Sequence, residues 1–218
     1  MKCVAIVLVF FVMSIHAKQS LQEAFSHIYE FQLWGANEEG QGCSGSGSTV
    51  QTTQEYRELL ELCLHVFDIK SVVDLGCGDW EFSRMIPWEQ IDYKGFDVVS
   101  SVIERNIKKY AREGISFAVL DATNQQLPAA DLLICKDVLQ HLSNDDVTHI
   151  IKQFSKFKYC LITNDVYGHS LSSDNPDIVS GDYRPIDITM PPFNVLGNKL
   201  LVYRSGYVIK QVVLIENI

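Results

Sequence analysis

The segment Val72-Val73-Asp74-Leu75-Gly76-Cys77-Gly78-Asp79-Trp80 constrains the fold of this chain more than any other. A short apolar run, read as a buried strand, enters two glycines one residue apart and then leads toward a helix. Glycines at such a junction let the backbone approach a ligand closely and adopt dihedrals that a side chain forbids. In an open sheet of parallel strands, ligands bind in the crevice at the strands' carboxyl ends. A tight turn serving structure alone is the plainer alternative.

The surrounding pattern supports a strand in that position. Residues 53–67 read as a helix with Leu59, Leu60, Cys63, Val66 and Phe67 on one side. Strands are predicted over 71–75, 93–99, 115–120, 131–135 and 159–163, with a short helix over 80–85. Ser100 or Ser101 caps a helix reaching about Arg112, with Ile103, Ile107 and Tyr110 inward. Ser143 caps another over 146–157, whose first turn is acidic as the helix dipole favours. Strands alternating with helices mean βαβ units and a largely parallel sheet covered on both faces. Continuous apolar runs such as Leu132-Leu133-Ile134 suit strands buried on both faces. Residues 199–203 and 207–215 are joined by Arg204-Ser205-Gly206, too short for a parallel crossover, so they pair as an antiparallel hairpin. The expected fold is therefore α/β, doubly wound, with a mostly parallel seven-stranded sheet that ends in an antiparallel hairpin. Before the hairpin lies a connection over 167–194, long enough to carry function.

The amino-terminal part stands apart. Lys2 precedes a largely apolar run over residues 3–15, and Ala17 occupies the −1 position of a secretory cleavage site. The run falls short of the ~20 residues that span a bilayer, so no stable membrane span is expected after cleavage. The reading is a signal peptide over 1–17 and a secreted, periplasmic or lumenal protein; without a working signal the protein is cytoplasmic. Residues 18–52 then hold an amphipathic helix, with Leu21, Phe25, Ile28, Phe31 and Trp34 on its apolar side, and a Gly/Ser-rich stretch over 40–48. That stretch is either a linker or a lid closing on the main domain, 53–218. The cysteines that remain after cleavage are odd in number, irregularly spaced and without a C-x-x-C pair, which suggests core thiols and no zinc or redox dithiol. A net charge of −9, with no basic cluster, disfavours a nucleic-acid partner. No metal site is expected.

Which ligand suits the loop follows from its charges. A dinucleotide fingerprint requires a third glycine where Glu81 stands, and a diphosphate would meet Asp74, Asp79 and Glu81. A ligand carrying an ammonium and a sulfonium suits that acidity.

At this point the chain resembles the class I S-adenosylmethionine-dependent methyltransferases. Their first motif matches Val72 to Asp79. Their second-strand acid matches Asp97 in Tyr93-Lys94-Gly95-Phe96-Asp97, 19 residues after Gly78. Their third-strand motif matches Phe117-Ala118-Val119-Leu120-Asp121-Ala122, and the segment after the fourth strand matches Lys136-Asp137-Val138-Leu139-Gln140-His141-Leu142. The resemblance covers about residues 53–163 and implies S-adenosylmethionine as cofactor. It places Asp74 beside the methionine amino group, Gly76, Cys77 and Gly78 in the cofactor loop, and Asp97 on both ribose hydroxyls. Asp121 would accept from the adenine amino group, with Ala122 beside it. The family often has a third small residue where Asp79-Trp80 stand here, so Trp80 either walls the pocket or packs under the sheet.

The chemistry implied is in-line transfer of an activated methyl group, in which the enzyme aligns the acceptor and excludes water. His141, with its ordinary pKa near neutrality, is the candidate base for an oxygen or nitrogen acceptor, and Asp137 the candidate to position it. A helix-packing histidine is the alternative for His141. Asn164 and Asp165 follow the fifth strand toward the acceptor side. Arg184 in the long connection is either an anion holder or a solvated loop residue. The acceptor is a small molecule or a protein side chain. The rival functions are a secreted binding protein on a degenerate methyltransferase fold and an NAD-dependent oxidoreductase; the acidic loop opposes the latter.

Overall fold

The computed structural model describes residues 20–166 and 175–217. The signal-peptide reading, 1–17, lies outside the described residues, as do residues 167–174 of the long connection. The chain folds as α1 (Leu21–Glu30), α2 (Gln54–Val66), β1 (Ser71–Leu75), β2 (Asp92–Asp97), α3 (Ser100–Tyr110), β3 (Ile115–Val119), β4 (Ala130–Lys136), α4 (Asn144–Ile151), β5 (Phe157–Val166), β6 (Asn198–Ser205) and β7 (Val208–Glu216). The strands form one seven-stranded sheet in the order β3-β2-β1-β4-β5-β7-β6. The first five pair parallel, while β7 runs antiparallel to both β5 and β6.

Alternation along each strand divides the core into two layers. Val72, Leu132, Ile134 and Leu161 face the layer formed with Tyr56, Leu60, Cys63 and Leu64 of α2 and Ile103 of α3. Val73, Leu133, Cys135 and Cys160 face the opposite layer, with Val147 and Ile150 of α4. Both faces are covered, which is why the parallel strands read as unbroken apolar runs. The order reverses at β1, whose neighbours are β2 and β4, and this switch point is where such a sheet opens a crevice.

Several expected boundaries differ from those observed. Residues 80–85 do not form one helix: Trp80 takes a left-handed φ of 60°, and only Ser83–Met85 form a short 3-10 turn. Neither Ser100 nor Ser101 caps α3; Ser100 is its first residue, and Val99, the N-cap, gives no side-chain bond. Ser143 does cap α4, accepting from the amide of Asp146, but the helix stops at Ile151 and a 3-10 turn over Phe154–Lys156 follows. Val66 and Ile107, expected inward, are exposed; Leu64 and Asn106 take the buried positions. The last hairpin turns at Gly206 and Tyr207, because Arg204 and Ser205 still belong to β6.

Candidate functional site

The glycine loop is held by the neighbouring strand. The amides of Gly76 and Cys77 both donate to the carbonyl of Phe96 at the end of β2, at 2.7 and 3.0 Å. Gly76 has φ +72°, and a Cβ on it would lie 2.3 Å from Cγ2 of Val138. Gly78 has φ +51°, and a Cβ there would lie 2.2 Å from Oγ of Ser44. Both positions therefore require glycine for dihedral and for space. Asp97 fastens the two strand ends together: one carboxylate oxygen accepts the amide of Gly78 at 3.1 Å and the other that of Val99 at 2.9 Å. Burial pushes the Asp97 carboxyl up from the ordinary carboxylate range.

These groups line a cavity of about 580 Å³ at the carboxyl ends of the strands. Gly76 and Gly78 come from the end of β1, Asp97 and Val98 from β2, Asp121 and Ala122 from β3, Asp137, Val138 and His141 from β4, and Asp165 from β5. The sequence-predicted residues thus meet in one place. Cys77 and Asp74 sit just beside it, in a smaller recess shared with Asp79 and Glu81. Asp74 is buried and accepts from Tyr93 Oη at 2.6 Å and Ser83 Oγ at 3.5 Å. Burial raises its carboxyl to about 6, against the pull of the Tyr93 bond and the Lys136 ammonium. Cys77 is a buried thiol whose pKa burial also raises. Asp121 serves its own turn, accepting from Thr123 and Asn124, while also lining the cavity. Trp80 is no cavity wall: it packs among Tyr93, Tyr110 and Phe117.

The cavity floor at the ends of β4, β5 and β7 is an ion cluster. Lys136 Nζ donates to Asp137 at 2.5 Å and to the carbonyl of Gly47 at 2.9 Å. Lys210 Nζ, on β7, lies between Asp137 at 2.8 Å and Asp165 at 2.6 Å. Burial opposes the charge on Asp137, but the two ammonium groups outweigh it and hold the carboxyl below its ordinary value. Burial likewise lowers the Lys136 pKa. Tyr183 Oη donates to the other oxygen of Asp165 at 2.9 Å. Lys136 and Lys210 were missed as site residues, although each is a lone cation set in an apolar strand sequence, which was signal enough.

His141 lies beside Trp34, Phe25 and Tyr183, at 5.0, 6.4 and 5.6 Å between ring centres. Its Nδ1 is 3.0 Å from the carbonyl oxygen of Asp182. A carbonyl only accepts, so Nδ1 carries the proton and Nε2 of the neutral ring keeps its lone pair. Desolvation among the rings lowers its pKa from 6.5.

The amino-terminal segment closes the cavity from above. Its Gly/Ser stretch is no free linker: Ser44 donates its amide to Asp79 at 3.0 Å, accepts the amide of Asp79 on Oγ at 2.9 Å, and shares a 2.7 Å bond with Tyr29. Arg184, by contrast, neither holds a ligand in the cavity nor is solvated. It is buried and donates to the carbonyls of Pro176 and Leu139 and to Asn144, tying the long connection to the fold. Among the described residues no group of His, Cys, Asp or Glu is placed to hold a metal ion, and no helix is long and apolar enough to cross a membrane.

Comparison with known proteins agrees with this geometry. Residues 72–157 match the family model described as a methyltransferase domain. No curated protein sequence matches the chain. Among solved structures, the amino-terminal domain of EvdMO1 with SAH bound is similar at a TM-score of 0.59 and 13% identity, over 88% of this chain and 95% of that one. The N-methyltransferase NodS from Bradyrhizobium japonicum, in complex with S-adenosyl-L-homocysteine, gives 0.56 and 15% over 76% and 87%. The magnesium protoporphyrin IX methyltransferase ChlM from Synechocystis PCC 6803 gives 0.53 and 11% over 75% and 82%. With its strand order, its glycine loop at the switch point and its antiparallel β7, the chain carries the class I methyltransferase fold, and its residues 72–157 match the model of a methyltransferase domain.

Proposed function

We propose that this protein binds S-adenosylmethionine in the cavity at the switch point and transfers its methyl group to an oxygen or nitrogen of a small-molecule acceptor. The observation that carries the reading is Asp97. A carboxylate offers about four lone-pair sites, and two are taken by the amides of Gly78 and Val99. Asp97 also lines the cavity, so its carboxylate is placed to accept from the hydroxyls of a ribose.

The surrounding residues fit the same ligand. Gly76 and Gly78 leave room that a Cβ would fill. Asp74, Asp79 and Glu81 line the recess beside them, a set of carboxylates that repels a diphosphate and suits an ammonium. Ala122 and Asp121 wall the side where the adenine would lie.

When bound, the cofactor supplies a methyl group already activated by its sulfonium. The protein's part is alignment, exclusion of water and removal of the acceptor's proton. In this reading His141 takes that proton on Nε2, while its Nδ1–H stays on the carbonyl of Asp182. Asp137 is engaged by two ammonium groups, so it is a positioning residue that fixes Lys136 and Lys210 and takes no proton itself. Trp34, Phe25 and Tyr183 form an aromatic wall around the base. A cavity of this size, roofed by residues 44–48, lies in the range of small-molecule sites, which favours a small acceptor over a protein side chain.

Export directed by residues 1–17 belongs to the proposal on the strength of its sequence pattern alone, and amino-terminal sequencing of the native protein tests it. The cofactor reading is tested by calorimetric titration with S-adenosylmethionine and S-adenosylhomocysteine, repeated on Asp97→Ala. Saturable binding that the substitution abolishes supports it; a folded protein that binds neither compound overturns it.

A further inference from the structure

Lys210 is only 2% exposed, yet it lines the main cavity. Its ammonium carries three N–H donors and gives two of them, to Asp137 at 2.8 Å and to Asp165 at 2.6 Å. The third has no partner among the described residues. Burial opposes the charge, but the two acids outweigh it and hold the Lys210 pKa above its ordinary value. The carboxylates around it are better served. Each oxygen of Asp137 accepts from an ammonium, and the oxygens of Asp165 accept from Lys210 and from Tyr183 Oη. A buried N–H without an acceptor is the costlier vacancy, because an oxygen with one lone pair filled is already partly satisfied. What the cluster lacks is an acceptor.

There is room for one. Gly47 lies over the ammonium: an added Cβ would sit 3.3 Å from Lys210 Nζ and 3.4 Å from Asp137 Oδ2. Unlike Gly45, Gly47 has no left-handed φ, so its backbone does not require glycine. What glycine provides there is space beside the cation. The rest of this end of the cavity is aromatic. His141 stands against Trp34, Phe25 and Tyr183, and Tyr207, fully exposed between β6 and β7, lines the cavity at its rim. Tyr183 and Lys210 are bound to the same carboxylate, Asp165, which fixes ring and cation relative to each other. His141 feels the charges of Asp137, Asp165 and Lys210, so base and cation serve one space.

We propose that the methyl acceptor is a small aromatic carboxylate, with a carboxylate oxygen in the space over Gly47 on the third donor of Lys210 and its ring against Tyr183 and His141. The inference rests on the methyltransferase reading above and names the class of its acceptor. The carboxylate is an anchor. The hydroxyl or amine that receives the methyl group is a second substituent, which gives its proton to Nε2 of His141. An anion suits the loaded site, because the charges of Lys136, Asp137, Asp165 and Lys210 cancel, whereas S-adenosylmethionine brings a net positive charge that the anion offsets.

The test uses three probes that share one ring: benzoate, benzyl alcohol and benzylamine. Each is titrated by ligand-detected NMR into the full chain saturated with S-adenosylhomocysteine. Benzoate is expected to bind about tenfold or more tighter than the other two, as a charge-assisted hydrogen bond does. Gly47→Ala fills the space while keeping both lysines. It should weaken benzoate about tenfold and leave S-adenosylhomocysteine within about twofold, with thermal melts to confirm folding. The wild-type comparison needs no variant, so it decides the matter even where Gly47→Ala does not fold. The proposal is overturned if benzoate binds no tighter than the alcohol, if benzylamine binds tightest, or if Gly47→Ala leaves benzoate unchanged. With S-adenosylmethionine in place of the product, methyl benzoate should not form; its appearance would make the carboxylate the reacting group and overturn its anchoring role. A wild type that does not bind S-adenosylhomocysteine overturns the cofactor reading itself, a separate outcome.

Discussion

Tyr93, on the strand next to the sheet's β3 edge, donates its hydroxyl to Oδ2 of Asp74 at 2.6 Å, so β2 solvates a carboxylate that β1 buries. The bond does not fully compensate. The Asp74 carboxyl stays raised to about 6, because desolvation outweighs Tyr93, Lys136 and Ser83 together. The apo protein therefore carries at neutral pH a charge that its own fold disfavours, placed where a cation would relieve it.

Replacing that charge with a neutral isostere should stabilise the empty protein. A group whose folded pKa exceeds its unfolded value contributes stability below the unfolded pKa and loses it as pH rises through the folded one. For Asp74 the window runs from 3.8 to about 6, and the full shift corresponds to roughly 3 kcal/mol. Asp74→Asn is expected to raise the melting temperature at pH 7 and to make stability flatter across that window, while weakening S-adenosylmethionine. Thermal melts from pH 4 to 7 check it; a variant less stable than wild type at pH 7 would show that the Tyr93 bond dominates.

Gly76→Ala should destabilise the fold by about 2–4 kcal/mol, combining a left-handed dihedral with a steric clash. The obstructing atom is Cγ2 of Val138, 2.3 Å from where the new Cβ would sit. The double variant with Val138→Ala removes the clash and leaves the dihedral strain, so it should recover part of the loss. Denaturant titration of the four proteins measures this, and additive losses would refute the contact.

His141 should titrate below pH 6.5, the direction set by its desolvation among aromatic rings. Its imidazole resonances, assigned by their absence in His141→Gln, report the midpoint directly. Transfer that needs the neutral ring falls as pH drops through that midpoint and is level above it. His141→Gln should lose about 10²- to 10⁴-fold in kcat, with S-adenosylhomocysteine affinity unchanged within about twofold. A kcat unchanged in the variant assigns the ring to packing.

Lys210→Met removes the cation that Asp137 and Asp165 share. Two buried carboxylates would lose a partner, and breaking a buried ion pair from one side costs about 3–5 kcal/mol. Lys210→Arg, able to reach both acids with a forked donor set, should retain most of the stability. Chemical denaturation distinguishes the two.

How much of this was legible in the sequence depends on the range of the interaction. Strands β1 to β5 and the closing hairpin were readable because apolar runs and chain breaks are local signals, and Ser143 before Asp146 was a local cap. The glycine loop and Asp97 were readable because a short βα unit brings them together. Trp80 was read as the start of a helix over 80–85 because its left-handed backbone, beside Cys77 and Gly78, leaves no trace in helical periodicity. Arg184 was misjudged because its carbonyl partners, Leu139 and Pro176, come from separate segments. The bond between Ser44 and Asp79 spans 35 residues, and no pattern in either segment announces the other.

The antiparallel course of β7 has a consequence for the order in which the site comes into being. Parallel strands present only their carboxyl ends to the cavity, whereas β7 presents its beginning, and Lys210 is its third residue. The pocket floor therefore stays open until the final hairpin docks, even when β1 to β5 have already paired. On a ribosome, where earlier segments emerge first, the ligand-binding edge becomes competent only after β1 to β5 have emerged.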